Sequence, residues 1–381
     1  MISLDNSIIF TGEQRLTTHS VLIDSGTIID IVPSENIPTN VKHIDLKGQI
    51  LCPGFIDLQQ NGCGGVMFNT SPSKQTLMHM HKTNIKTGTT SFLPTLISDS
   101  DEAIRNGINA CKAYMNENPN HVLGMHLEGP YTNPVRKGIH PQEQLRAPGD
   151  NMVEWLSGQT PWLKKVTLAP EMNKPEHIRA LVRSGIIVSI GHTAASYQEA
   201  KQSFSYGISF ATHLYNAMSP ISGAREPGAV GAVLDSGSLY AGIIADGHHV
   251  HWANIRIAKQ TLGNRLCLVT DGTAGSSAPK ELDKFDFCGT TIYIKNGKCL
   301  DEKGTLGGSS LTMNEGVKRL VENAGVSLDE ALRMASLYPA KAIGVSDHLG
   351  CIKPGFVANL IVMNQDYKVS ASIVNGVIVR N

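Results

Sequence analysis

Eight short apolar and β-branched runs punctuate the middle of the chain, with helix-length stretches between them: FIDLQ, TTSFLPTL, VLGMHLE, VTLAPE, IIVSIGH, ISFATHLY, YAGIIAD and CLVTD. The intervening stretches SKQTLMHMHKTNIKTG, KPEHIRALVRSG and HWANIRIAKQTLG carry apolar residues at helical spacing and run into glycine, as crossover helices do. Strand and helix alternating in this way imply parallel strands, and eight repeats predict an α/β fold with a closed (β/α)8 barrel. An open doubly wound sheet is the competing arrangement. The polar endings favour the barrel: six runs close on Gln, Glu, Glu, His, Asp and Asp, and a seventh places His just before its end. Barrels of this class gather their chemistry at the C-terminal strand ends.

The two flanks have another rhythm. Residues 1–52 and 349–381 are short β-rich runs broken by Gly, Asn and Pro turns, with no crossover helix between them. They are expected to pair into a small β-domain built from both chain ends, with a catalytic barrel of residues 53–348 inserted between.

Composition removes several function classes. The chain has 381 residues with 33 basic and 33 acidic side chains. Without a net charge there is no long-range field to draw nucleic acid or an anionic membrane, so any anion must be gripped locally. No apolar window approaches membrane-spanning length and no leader-like segment opens the chain, which predicts a cytoplasmic protein. Seven cysteines without CxxC spacing argue against a disulfide framework or a zinc ribbon.

Four strand ends carry the chemistry: Glu128 after VLGMHL, His192 after IIVSIG, His213 within ISFATHLY and Asp271 after CLVT. Singly, such a carboxylate caps the next helix and such a histidine is a satisfied core or surface residue. Together, one Glu and two His on one barrel face supply the three N/O ligands of a catalytic Zn²⁺ that keeps a fourth position for water. Asp271 is then placed to act as general acid and base.

The motifs HLEGPY, GHTAAS, THLYNAM, REPG, IADGHHVH and LVTDGTA resemble the amidohydrolase superfamily and, within it, the N-acetylglucosamine-6-phosphate deacetylases, along nearly the whole chain. The resemblance implies metal-dependent hydrolysis of the acetamide of N-acetyl-D-glucosamine 6-phosphate. It implies Glu128, His192 and His213 as metal ligands, Asp271 with His140 as catalytic residues, and Arg225 with His249 as the sugar-phosphate grip. Ile139, Asn216, Ala217, Asp246, His248, Leu306, Gly307 and Gly308 are implied as further substrate contacts. One divalent ion is expected per chain, Zn²⁺ ahead of Fe²⁺, Co²⁺ or Mn²⁺. The active form implied is a homodimer that completes part of the phosphate grip across its interface. The galacto epimer of the substrate, or a non-catalytic binding role, are the alternatives.

One departure stands at the first strand. Where most amidohydrolases end it in His-x-His, this chain has Gln59 and Asn61, neutral amides that are poor zinc ligands. A single tightly bound metal is therefore expected, with both amides either lining the substrate site or satisfying backbone groups. The chain's own His-x-His, His79 and His81, lies in a predicted helix. Side chains two apart there point about 200° away from each other and cannot share an ion, so both are assigned to surface or packing.

Overall fold

The computed structural model describes residues 1–380. Eight parallel strands form one sheet in chain order: Phe55–Gln60, Thr89–Ile97, Met125–Glu128, Leu163–Leu168, Ile187–Ile190, Phe210–Ala211, Tyr240–Ile244 and Leu266–Val269. The first and eighth strands close on each other at their C-terminal ends, where the Asp271 N–H donates to the Gln59 carbonyl at 3.0 Å and the Asn61 N–H to the Gly272 carbonyl at 2.7 Å. The sheet is thus a barrel and not an open doubly wound layer. The first two strands are buried along their whole length, as parallel strands covered by helices must be.

The three stretches read as helices form Lys74–Asn84, Pro175–Arg183 and Trp252–Leu262. Local chemistry starts and stops them. The Ser73 hydroxyl accepts from the Thr76 N–H at the first turn, the usual N-cap bond. The chain leaves this helix through Gly88 at φ 88°, a left-handed value that glycine adopts without a side-chain clash.

The chain ends form two sheets. One holds Thr27–Pro33, His19–Asp24, Ile2–Asp5 and Lys42–Asp45. In the other, Leu360–Met363 runs antiparallel to Ile50–Pro53, so a C-terminal strand completes a sheet begun by the N-terminal segment. A third sheet departs from the expectation. Residues 284–309, within the span assigned to the barrel, form four antiparallel strands between the eighth barrel strand and helix Met313–Ala324. Its last strand, Leu306–Ser309, is fastened to the barrel rim by the Ser309 N–H donating to the Asp271 carbonyl at 2.8 Å.

Candidate active site and metal centre

The chemistry-bearing residues sit at or just past the barrel ladder. Glu128 is the last residue of its strand, whereas His192, His213 and Asp271 each lie two residues beyond theirs. All three take left-handed backbone, with φ of 47°, 32° and 50°. They converge at the floor of a cavity of about 320 Å³, within the size range of small-molecule sites.

At the centre of that floor three ligand-type atoms meet. Glu128 Oε1 lies 2.8 Å from His213 Nε2 and 3.1 Å from His192 Nε2, and the two imidazole nitrogens are 3.1 Å apart. Ligand atoms about 2.0–2.1 Å from a tetrahedral ion stand about 3.3 Å from one another, so this triangle fits a Zn²⁺-type ion. The tautomer agrees: His192 Nδ1 faces the Arg136 carbonyl at 2.8 Å, which can only accept, so the proton sits on Nδ1 and Nε2 keeps its lone pair. His213 Nδ1 is buried without a partner. Burial opposes ionisation of Glu128, yet the facing rings of His192 and His213 outweigh it and hold the carboxyl well below its usual range.

A second triple, Glu128, His140 and His192, brings ligand-type atoms within 4.8 Å of one another. It is looser, and the Ser98 hydroxyl and N–H face His140 Nδ1 at 2.7 and 3.4 Å. A backbone N–H can only donate, so Nδ1 accepts and Nε2 carries the proton. Burial, reinforced by His192, keeps this ring neutral. His140 is thereby a neutral N–H donor on the cavity wall.

Gln59 bridges the two carboxylates, and Asn61 holds one of them. Gln59 Nε2 donates to both oxygens of Glu128, at 3.2 and 3.1 Å, and to Asp271 Oδ1 at 3.1 Å; Asn61 Nδ2 donates to the same Asp271 oxygen at 2.8 Å. One amide group thus stands between the carboxylates where a second cation would otherwise neutralise them. Burial first, and then Glu128, push the Asp271 carboxyl above its usual range, while Asn61 partly offsets this.

Of the remaining expected contacts, Ile139, Asn216, Ala217, His249, Leu306 and Gly308 line the cavity with Asn61. Asp246 stands behind the wall: its carboxylate takes His249 Nδ1 at 2.7 Å and the N–H groups of His248 and His249 at 2.8 Å each. Gly307 is also behind it, where a Cβ would come within 2.7 Å of Ile292. His248 is exposed and outside the lining. Arg225 lies on the exposed loop after the sixth strand, also outside it. Nor does Arg225 pair with Glu226, whose carboxylate takes the N–H groups of Tyr197 and Gly228 at 2.9 and 2.8 Å. His79 and His81 are helical as expected; His81 stacks on His121 with ring centroids 3.8 Å apart.

The sequence reading missed Phe287 and Thr305, brought to the cavity by the inserted sheet, and Val135, Arg136 and Gly138 on the loop after the third strand. It also missed a buried polar layer beneath the site. There His126 Nε2 meets Thr167 Oγ1 at 2.7 Å, and Thr167 and Ser189 both meet Thr212 Oγ1, at 2.7 and 2.6 Å. Lys165, fully buried, donates to the Leu58 carbonyl at 2.8 Å.

Comparison with known proteins sets this geometry in a lineage. Residues 50–379 match the amidohydrolase family and residues 1–51 match the NagA composite domain. The chain belongs to the amidohydrolase family. This amidohydrolase is 46% identical over 374 residues to N-acetylglucosamine-6-phosphate deacetylase of Haemophilus influenzae, covering 98% of each chain. It is 34% identical to N-acetylgalactosamine-6-phosphate deacetylase of a Shewanella strain, over 99% of this chain and 95% of that one. The crystal structure of N-acetylglucosamine-6-phosphate deacetylase from Pasteurella multocida superposes on the amidohydrolase with a TM-score of 0.98, at 46% identity and full coverage of both chains. Among the described residues, no helix of the amidohydrolase is long and apolar enough to cross a membrane.

Proposed function

We propose that the chain hydrolyses the acetamide of N-acetyl-D-glucosamine 6-phosphate to D-glucosamine 6-phosphate and acetate. The observation that carries this reading is a buried carboxylate, Asp271, pinned by Gln59 and Asn61 beside the Glu128–His192–His213 triangle in one cavity. Glu128, His192 and His213 hold one divalent ion, Zn²⁺ by the donor set. Such an ion supplies Lewis-acid polarisation of the amide carbonyl and acidifies water.

The chain's own residues do the rest. His140, neutral with its proton on Nε2, donates to the carbonyl oxygen as negative charge develops there. Asp271 takes a proton from the attacking water and returns it to the amine nitrogen as the C–N bond breaks. Its buried setting beside Glu128 favours the second half, since a carboxylate too acidic would not give the proton back. Gln59 and Asn61 keep its accepting oxygen aimed while its other oxygen is left for the reaction. Asn216, Ala217 and His249 line the sugar-phosphate end, with Asp246 orienting the His249 ring through Nδ1.

Exposed as it is on one chain, Arg225 serves the phosphate of a second subunit, which makes the active form a homodimer. Residues 1–52 and 349–381 act as a supporting β-domain for the barrel of residues 53–348, and the enzyme works in the cytoplasm. The test is turnover by the purified protein of the N-acetylglucosamine and N-acetylgalactosamine 6-phosphates, read as amine and acetate release. Preference for the gluco epimer is expected. Preference for the galacto epimer would reassign the substrate, and no turnover of either would overturn the enzyme reading.

A further inference from the structure

The phosphate reading leaves one guanidinium unexplained. Arg136 closes the turn Pro134–Arg136 and lines the cavity. That turn is fastened to the metal-site histidine from both sides. The Asn133 N–H donates to the His192 carbonyl at 2.9 Å, and His192 Nδ1 donates to the Arg136 carbonyl at 2.8 Å. Asn133 is in turn held by Glu171, whose Oε1 accepts from Asn133 Nδ2 at 2.9 Å. The backbone of Arg136 is therefore fixed relative to the reacting centre, but its side chain is left unengaged. Its Nε is buried with no partner, and no carboxylate among the described residues lies within ion-pair distance. The neighbouring Lys137 is spent on the carbonyls of Gly138 and His140, each at 3.3 Å.

A buried, unpartnered N–H on an always-charged group is costly unless an anion meets it in use. The two carboxylates of the cavity are already engaged, Glu128 by the histidines and Gln59, and Asp271 by Gln59 and Asn61. Arg136 is the one Lys or Arg among the lining residues. Since the chain as a whole is neutral, a dianionic substrate gains no general attraction and needs a cation within the site.

We propose that Arg136 is a substrate-specificity residue that binds the phosphate monoester from the same subunit, as a bidentate donor. This rests on the sugar-phosphate reading above. The experiment compares Arg136→Ala and Arg136→Lys with the parent protein. Its readouts are KM for N-acetylglucosamine 6-phosphate against unphosphorylated N-acetylglucosamine, inhibition by inorganic phosphate, and metal content. For Arg136→Ala, KM for the phosphorylated sugar should rise at least about 10-fold more than for the plain sugar, as expected for a lost charge-assisted bond. The inhibition constant for inorganic phosphate should weaken by a similar factor, and metal content should stay level, because the carbonyl that holds His192 is untouched. Arg136→Lys should recover part of both losses, keeping the charge but not the fork.

Equal KM changes for the two sugars, loss of metal, or unchanged phosphate inhibition would each overturn the assignment. If the parent protein does not turn over the phosphorylated sugar, the functional reading fails on that arm alone. The phosphate-inhibition arm is then replaced by direct binding of inorganic phosphate to parent and Arg136→Ala protein, and equal affinities would overturn the role of Arg136 by themselves.

Discussion

Replacing Asp271 with Asn separates proton transfer from everything else the residue does. In the native site Asp271 Oδ1 accepts from Gln59 Nε2 at 3.1 Å and from Asn61 Nδ2 at 2.8 Å. An asparagine turned with its carbonyl oxygen in that place keeps both bonds, but as neutral ones. Charge-assisted bonds contribute about 1.5–3 kcal/mol and neutral ones about 0.5–1.5, so the two together lose about 2–3 kcal/mol. Against this, the substitution removes a buried negative charge that burial and Glu128 both disfavour, the same two causes that raise the Asp271 carboxyl. With the two effects opposed, folding stability should change by no more than about 1–2 kcal/mol. Glu128, His192 and His213 are untouched, so metal content should hold. The amide nitrogen cannot accept a proton from water, and losing a positioned general base lowers kcat by about 10²–10⁴-fold. Amine release at saturating substrate, with metal analysis and thermal unfolding on the same preparation, measures all three. A metal-loaded, folded Asp271→Asn protein with kcat within ten-fold of the parent would refute the reasoning, and His140 would be the next group to test.

Further predictions follow from neighbouring residues. Protein dialysed against chelator-free buffer should hold one tightly bound Zn²⁺-type ion per chain, because Gln59 fills the space between Glu128 and Asp271 with an amide; two such ions by metal analysis would refute that reading. Glu171 accepts from Thr193 Oγ1 at 2.6 Å, Ala194 N at 2.7 Å and Asn133 Nδ2 at 2.9 Å, tying together the loops on both sides of His192. Glu171→Ala should weaken metal affinity about 10–100-fold in a chelator competition, as loss of outer support does elsewhere, and unchanged affinity would dismiss the role. Burial, with His121 beside it, lowers the His81 pKa to about 3. Since the folded value lies below the unfolded one of 6.5, the stability is complete above that pH and is lost as pH falls from there toward 3. His81→Phe keeps the stack and gives up only a partnerless Nε2, so relative to the parent it should gain about 2 kcal/mol at pH 5 and almost nothing at pH 7.5; equal effects at both pH values in denaturant titrations would refute this.

How far the sequence carried the site depends on which residues announce themselves. Glu128, His192, His213 and Asp271 were legible because each stands at the end of an apolar run or, for His213, just before it, and a barrel brings run-ends to one rim whatever the distance between them in sequence. The amides at 59 and 61 were legible as a departure, but not as a bridge, because bonds from Gln59 to Glu128 and Asp271 span 69 and 212 residues. The buried layer had an unused signal. His126 stands two residues before Glu128, so strand periodicity puts it on the same inward face. Residues 284–309 were illegible as a wall of the site: their strands are half exposed and short, and only pairing with the barrel rim at Ser309 and Asp271 places Phe287 and Leu306 over the cavity. Arg136 was hidden for a related reason. Its turn matters through contacts with His192, 56 residues away.

Backbone strain is present at the same strand ends. Non-glycine residues at positive φ cost about 1 kcal/mol or more each and persist only where their surroundings over-determine them. His192 is held by bonds to Asn133 N–H and the Arg136 carbonyl, Asp271 by the Gln59 carbonyl and the Ser309 N–H, and His213 by the Asn216 N–H on its carbonyl at 2.9 Å. Each left-handed residue turns the chain away from the ladder while its side chain still reaches the floor of the cavity. Glycine would take that backbone at little cost, and the chain uses glycine freely at such φ values elsewhere. It does not do so at 192, 213 or 271, because a glycine there would bring no imidazole or carboxylate to the site.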